Sequence, residues 1–558
     1  MEIIMNIKKL KREFKKDFNI WALLSTLGVV LILAPTLDVL FNIFKEPNEN
    51  WYHVKEFLLK DYTLNSLKIA FFTAIFTLII GVVLAWLVSM YEFPFRKFFS
   101  LALILPMAIP GYIAAYTYAG IFSYTGIIQK TLRNIFSSNL DPRYFDIMSI
   151  EGAVFIFTFF LFPYVYISTK AFLENQSSAL IENAKILGHD SISIFIKVIL
   201  PISRPSIIAG VSLVILEVLS DYGVVNYYGV STFSTAIFKT WYGMGDINTA
   251  VRLSGILIIF VLVLLTSETI LRGRRKYSFS NSKIRPIKRY KLKGIKGIVA
   301  FSICFIVFSI SFLIPVIQLI SWATISYKNV LNHNFLELLK NTMLVAIIST
   351  SIIMFLSIII GNFCRINKSK LSKIFAKVAT IGYSIPGAII AISVIVFFIS
   401  IDRSLSNVYE SIGISNKTLI LSSSLAMLIF AYVIRFLAVG FNNIQAGFEK
   451  VGFKYFEASR LLGYGITKTF IKVDFNMIKG AIISGGILTF IDIIKELPLT
   501  MTLRPFNFDT LATKAYEFAN DERLYEAAIP SLIIIAISIV SICIFNMMGK
   551  KRRKKIAS

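Results

Sequence analysis

About twelve apolar stretches, each long enough to cross a bilayer, restrict what this chain can fold into. A helix needs about 20 apolar residues to span the hydrocarbon core. Stretches that qualify lie near 20–44, 64–90, 98–120, 150–172, 206–226, 250–271, 298–321, 341–363, 373–400, 417–440, 480–499 and 526–547. The runs are continuous and lack the alternation of tilted membrane strands, which excludes a β-barrel. The sequence therefore predicts an all-α polytopic membrane protein with about twelve transmembrane helices. Composition agrees: 56% of the 558 residues are hydrophobic and 16% are charged, a balance outside soluble globular usage.

A net charge of +26 invites a nucleic-acid reading, but the distribution of the charge opposes it. Basic residues crowd an amino-terminal tail (Lys8, Lys9, Lys11, Arg12, Lys15, Lys16), the 272–296 and 365–377 connections and a tail from Lys550 to Lys555. Threading the spans in order puts all four on one side. The connections expected on the other side, 45–61, 221–249 and 500–526, mix acids with bases. This is the positive-inside pattern, with both termini in the cytoplasm and the basic segments on lipid headgroups. No groove-reading motif accompanies the charge, so no nucleic-acid partner is expected. The first apolar run follows a basic region without a small-residue cleavage site, so 20–44 is read as a retained span. Cys304, Cys364 and Cys543 are scattered, as are His53, His189 and His333. No metal-ligand spacing appears, and no metal site is expected.

The chain repeats itself. A segment from Arg272 to Lys296 with eleven Lys or Arg and no acid joins two halves of six spans. The boundaries are a first domain at 1–271, a basic linker at 272–297 and a second domain at 298–558. Asn65-Ser66-Leu67 matches Asn341-Thr342-Met343 and Pro110-Gly111 matches Pro386-Gly387, both at an offset of 276. Further on the offset is 275: Glu217 meets Asp492, Asp221 meets Glu496, Phe233 meets Phe508, Thr235 meets Thr510 and Asp246 meets Asp521. An even number of spans per half makes the repeat parallel, with a pseudo-twofold axis along the membrane normal and a pathway expected along it.

One polar motif recurs on the expected cytoplasmic side, in loops at 174–205 and 445–479. The first copy has Glu182-Asn183-Ala184, then Gly188, then Val198-Ile199-Leu200-Pro201. The second has Glu457-Ala458-Ser459, then Gly463, then Val473-Asp474-Phe475-Asn476. Two short helices broken at a glycine would let each loop project and return. The small residues Ala184 and Ala458 would permit close packing on a partner, and Pro201 and Pro205 would mark re-entry of the first helix.

The Glu-x-Ala-x-x-x-Gly pattern, followed by a β-branched residue and Leu-Pro, resembles the signature loop of binding-protein-dependent ABC importer permeases. The stretches Glu217 to Ile237, Phe238 to Asp246 and Lys495 to Asn507 are similar to those of the fused ferric-iron permeases, and the likeness runs from about Phe18 to Asn546. The resemblance implies that each loop is a coupling helix docking on a cytoplasmic ABC ATPase, two copies in all. Glu182, Ala184, Gly188, Leu200, Pro201, Glu457, Ala458 and Gly463 would carry that role. It further implies an extracytoplasmic iron-binding protein, residence in a bacterial cytoplasmic (inner) membrane, and transport of ferric iron inward. Fused permeases for thiamine, phosphonate or polyamine share the architecture. An ion-coupled secondary transporter also has twelve spans and twofold repeats, but needs no pair of docking loops. In the second loop Phe475-Asn476 replaces Leu-Pro and Ser459 replaces an alanine; with the glutamate and glycine kept in both, both loops are expected to dock, the second with altered geometry or a weaker grip. The segment Gly463 to Thr469 has Thr467 where a phosphate-binding loop needs glycine and follows a helix instead of a strand. The chain is thus expected to bind no cofactor and to be no enzyme, with ATP and Mg used by the partner.

Ionisable groups within spans are costly, roughly 2.5–3.5 kcal/mol for Asp, Lys or Arg at a helix centre. Glu217 and Asp492 share a repeat position, and Asp221 and Glu496 follow one helical turn on, on the same face. These four carboxylates are candidate pathway residues, with Tyr222, Tyr227 and Tyr228 as neighbouring oxygen donors suited to hard Fe³⁺. The alternative is ion pairing with Lys495 and Arg504. Trp51, Tyr52, Trp241 and Tyr242 are read as interfacial anchors.

Overall fold

A computed structural model describes residues 20–43, 46–136, 141–174, 179–272, 289–367, 369–411 and 419–557. The amino-terminal basic tail and most of the linker lie outside the described residues. Among those described, ten helices are long and apolar enough to cross a membrane, or eleven if a bent pair counts as one span. The remaining expected span is the Ile20–Asn42 helix, whose apolar part Ile20–Pro35 is shorter. Among the described residues the strand content is one parallel two-residue bridge, Tyr91–Glu92 with Tyr290–Lys291.

Several expected span limits shift. The second helix runs Glu49–Met90 and so begins well before residue 64. The 98–120 stretch is two helices, Arg96–Ala108 and Gly111–Ile135, meeting at 92°. The 373–400 stretch is likewise interrupted, between Lys370–Ile381 and Gly387–Ser404. Both breaks fall at the repeated Pro-Gly pair, because the proline adopts extended backbone (ψ 145° and 141°) and the next helix starts on the glycine. The 206–226 and 480–499 stretches are displaced toward the polar loops: the helices run Ser191–Ser220 and Ile466–Ile494. The 417–440 stretch becomes Leu425–Val451.

The halves exchange their first spans. Ile20–Asn42 packs on His333–Ile366 and Gly387–Ser404 of the second half, and the Ser25 hydroxyl donates to the Ile359 carbonyl at 3.4 Å. Ile295–Val330 in turn lies against the first half: Phe301 and Phe308 pack around Phe99, and the Tyr118 hydroxyl donates to the Ile310 carbonyl. A side chain at Gly120 would strike the Trp322 ring at 2.5 Å, so this crossing depends on a missing Cβ. Near the expected outer side, Asn48, Asn50 and Thr249 side chains donate to Asp246 at 2.6–3.0 Å. Burial pushes that carboxyl up, but these donors outweigh it and hold it below the ordinary range.

The repeat register needs one correction. Thr232 with Thr235, and Thr510 with Thr513, form equivalent capping boxes. The Phe233 amide donates to Ser66 and the Leu511 amide to Thr342, the residue that matches Ser66. Phe233 is thus equivalent to Leu511, not Phe508, and Thr235 to Thr513, not Thr510. Asp246 caps the helix that follows it, whereas Asp521 ends the preceding one, so these two are not equivalent. The second half carries three extra residues in the loop between, and an unchanged 275 offset hid them.

Candidate functional site

Each polar loop begins with a short helix, Ala179–Ile186 and Lys454–Leu461. Both end the same way. The His189 amide donates to Ala184 and the Gly188 amide to Lys185, at 3.1 and 2.9 Å. The Tyr464 amide donates to Ser459 and the Gly463 amide to Arg460, at 3.3 and 3.0 Å. This is the Schellman pattern, which needs a left-handed residue after the helix; Gly188 has φ +81° and Gly463 +84°. Glu182, Glu457 and Ala458 are exposed. Ala184 is not: it is buried in a cluster with Met90, Leu173, Ile194 and Ile199, so it serves the loop's own packing and not a partner's. The most exposed apolar side chains of the loops, among the described residues, are Ile186 and Leu187, and at the matching positions Leu461 and Leu462, all between 77% and 89% exposed. These four residues stand at unspecified positions of the repeated Glu/Gly spacing, so the motif itself does not point to them.

Pro201 does not start a helix. The helix begins at Ser191, capped by the Asp190 side chain, and passes through a π turn at Phe195–Ile199 before Leu200 and Pro201. The second loop has the same turn at Phe470–Asp474, 275 residues on, although Asn476 stands in place of the proline. The backbone of the turn is thus the same in both loops, with Phe475-Asn476 in place of Leu200-Pro201. The Ser459 departure has a physical reason: its hydroxyl meets that of Thr469 at 3.0 Å in a buried contact, where the first loop packs Ala184 with Ile194.

At the seam between the halves lies a cavity of about 140 Å³. Glu217, Asp221, Asp492 and Glu496 all line it, so the four acids do converge. They do not lie on single continuous helices. The supporting helices end at Ser220 and Ile494, and Asp221 and Glu496 instead accept the amides of Val224 (2.8 Å) and Leu499 (3.0 Å), starting the next short helices. Lys495 pairs with Asp492 at 2.8 Å. Arg504 turns away to Asp509 and Glu517. The base on Glu496 is Arg435, at 4.0 Å, which the sequence reading missed because it lies about sixty residues upstream on another helix.

The tyrosines also differ from expectation. Tyr222, Tyr227 and Tyr228 do not line the cavity; Tyr228 donates to the Ala115 carbonyl at 3.1 Å. The phenols that do are Tyr112, Tyr164 and Tyr383. Tyr383 donates to Glu217 at 3.0 Å and Tyr164 to the same oxygen at 3.5 Å. Tyr242, read as an interfacial anchor, donates across the seam to the Met501 and Thr502 carbonyls at 3.1 and 3.0 Å.

Known proteins align with this architecture. The family of binding-protein-dependent transport system inner membrane components matches twice, at 69–272 and 353–554. The Fe(3+)-transport system permease protein FbpB 2 of Haemophilus influenzae is 24% identical over 92% of this chain and 95% of its own length. The sulfate transport system permease protein CysT of Escherichia coli is 28% identical over 36% of this chain and 71% of its own length. A putative 2-aminoethylphosphonate transport system permease protein, PhnU of Salmonella typhimurium, is 27% identical over 31% and 60%. With a family domain in each half and apolar helices throughout, the chain belongs to the inner membrane components of binding-protein-dependent transport systems, as a multi-pass ABC permease in which two permease domains are fused.

Proposed function

We propose that this chain is the membrane pathway of an ATP-driven importer that takes ferric iron from an extracytoplasmic iron-binding protein into the cytoplasm. The observation that carries the cargo is the seam cavity, where four carboxylates face two bases. Such a lining attracts cations and repels oxyanions. This favours the ferric relative, which aligns over nearly the whole chain, above the sulfate and phosphonate ones, which align over about a third. Thiamine and polyamines are cations too, so transport must discriminate among them.

Two ABC ATPases dock under the loops, one on Ile186 and Leu187, the other on Leu461 and Leu462. Both termini and the 272–296 connection are cytoplasmic, and 221–249 and 500–526 face outward. The purified chain alone neither binds nor hydrolyses ATP. Uptake of ⁵⁵Fe, ³⁵S-sulfate and radiolabelled thiamine and spermidine, compared between parental and deletion cells, tests the cargo. Loss of iron uptake alone is expected; loss of another solute with iron uptake intact would overturn the assignment. Impermeant thiol labelling of single cysteines at Ser231 and Ser282 tests the topology, with only the former expected to react in intact cells.

A further inference from the structure

The cavity is not electrically symmetric, although the repeat places a carboxylate at both members of each pair. The second half supplies both bases. Lys495 falls at the repeat position of Ser220, and Arg435 at that of Phe160; all four side chains line the cavity. Asp492 is held by Lys495 at 2.8 Å and Glu496 faces Arg435 at 4.0 Å. Among the described residues Glu217 and Asp221 make no ion pair. Among the described residues Glu217 has the phenols of Tyr383 and Tyr164 as its side-chain donors, and Asp221 accepts backbone amides, that of Val224 at 2.8 Å. A third phenol points to an unfilled role: Tyr112 is 4% exposed, lines the same cavity, and its hydroxyl has no hydrogen-bond partner. A buried hydroxyl without a partner is costly and calls for one that comes and goes.

We propose that the first half alone supplies the cargo-contacting charge: Glu217 and Asp221, with the phenol oxygens of Tyr112, Tyr164 and Tyr383, form a transit site for a hard trivalent cation. Asp492 and Glu496 are tied up by Lys495 and Arg435 and position those bases. The donors are all oxygens, the preference of a hard ion. Two carboxylates outside any direct ion pair, Glu217 lying within the field of Arg435 and Lys495, attract such an ion without caging it, and among the described residues no three His, Cys, Asp or Glu side chains stand together as a metal-holding group. Passage requires a site favourable enough to enter and weak enough to leave. This inference rests on the iron-permease reading.

The test uses the complete importer with its ATPase in lipid nanodiscs, with Tb³⁺ as probe. Excited tyrosines sensitise Tb³⁺ emission only at close range. Glu217→Gln and Asp221→Asn keep shape and hydrogen-bond acceptors and are expected to cut both sensitised emission and ⁵⁵Fe uptake at least fivefold. Glu217→Asp, which restores the charge, should recover a substantial part of both. The paired change Asp492→Asn with Lys495→Gln removes a balanced couple and should cost less than threefold. If Glu217→Gln matches the parent, or the paired change falls as far as Glu217→Gln, the division between halves is overturned. If the parent imports no iron, the cargo reading fails instead, while Tb³⁺ emission still reports on the cation site.

Discussion

Gly188 and Gly463 concentrate the loop geometry in single residues. A Cβ at either place would meet no atom within 4 Å, so only the backbone opposes a side chain. With φ near +80°, an ordinary residue there costs about 1–2 kcal/mol, whereas Asn tolerates the conformation. A strained cap would swing the exposed Leu187 or Leu462 relative to the membrane helices. Gly188→Val and Gly463→Val are therefore expected to lower cargo moved per ATP hydrolysed several-fold, with the melting temperature of the membrane domain shifted by only a few degrees. Gly188→Asn and Gly463→Asn should retain much more coupling. Transport and ATPase assays on the reconstituted importer check this, and full coupling in the valine variants would remove the glycines from the mechanism. The glycines and their partner glutamates were legible in the sequence because a repeated spacing is visible there; the inward direction of Ala184 was not, since the side it turns to depends on Leu173 and Ile199 from neighbouring helices.

The loops share a backbone but are anchored by different chemistry. Beneath the first, Met90, Leu173 and Ile199 make an apolar cluster. Beneath the second, at the matching end of the second helix in the half, Arg365 reaches Asp474 at 2.7 Å, with exposures of 8% and 0%. Asp474 stands at the repeat position of Ile199. The guanidinium also donates to the Gly452 carbonyl at 2.8 Å and sits 4.7 Å from the centre of the Phe448 ring, the counterpart of Leu173. Removing one partner of a buried pair leaves an uncompensated charge, a loss of about 3–5 kcal/mol, whereas replacing both by apolar residues is often neutral or stabilising. Asp474→Ala is thus expected to destabilise the protein and loosen ATPase docking. Arg365→Met with Asp474→Ile, which replaces both charges by apolar side chains like those beneath the first loop, should recover most of the stability. Thermal unfolding in detergent of the single and double variants gives the comparison; a double variant no better than Asp474→Ala would mean that the ion pair itself is required.

Across the whole molecule, exchange of first spans makes the halves interdependent. Trp21 of the first half donates to Thr467 in the second polar loop at 3.2 Å and packs edge-on to Phe470 at 4.9 Å. Lys185 of the first loop lies 3.2 Å from the Tyr290 ring centre, at the end of the linker. A chain divided at the linker and expressed as 1–280 and 281–558 is expected to assemble when both pieces are present. Either piece alone should be degraded, because its partner-facing apolar surface is uncovered. Quantitative blotting of membrane fractions decides this, and stable accumulation of one piece alone would show that the exchange is dispensable.

Span number, the parallel repeat and the two loops follow from one-dimensional information, because apolar length, charge sidedness and repeated spacing survive as patterns along a chain. The cavity does not. That Glu217 and Asp492 share it could be inferred from the repeat, but Arg435, Tyr112, Tyr164 and Tyr383 lie far apart in sequence and carry no local signal. Helix ends at Ser220 and Ile494 likewise depend on carboxylates turning back to cap the next helices. Which acids stand in direct ion pairs is decided only by packing at the seam, where a few ångströms separate a contact pair from a more distant charge.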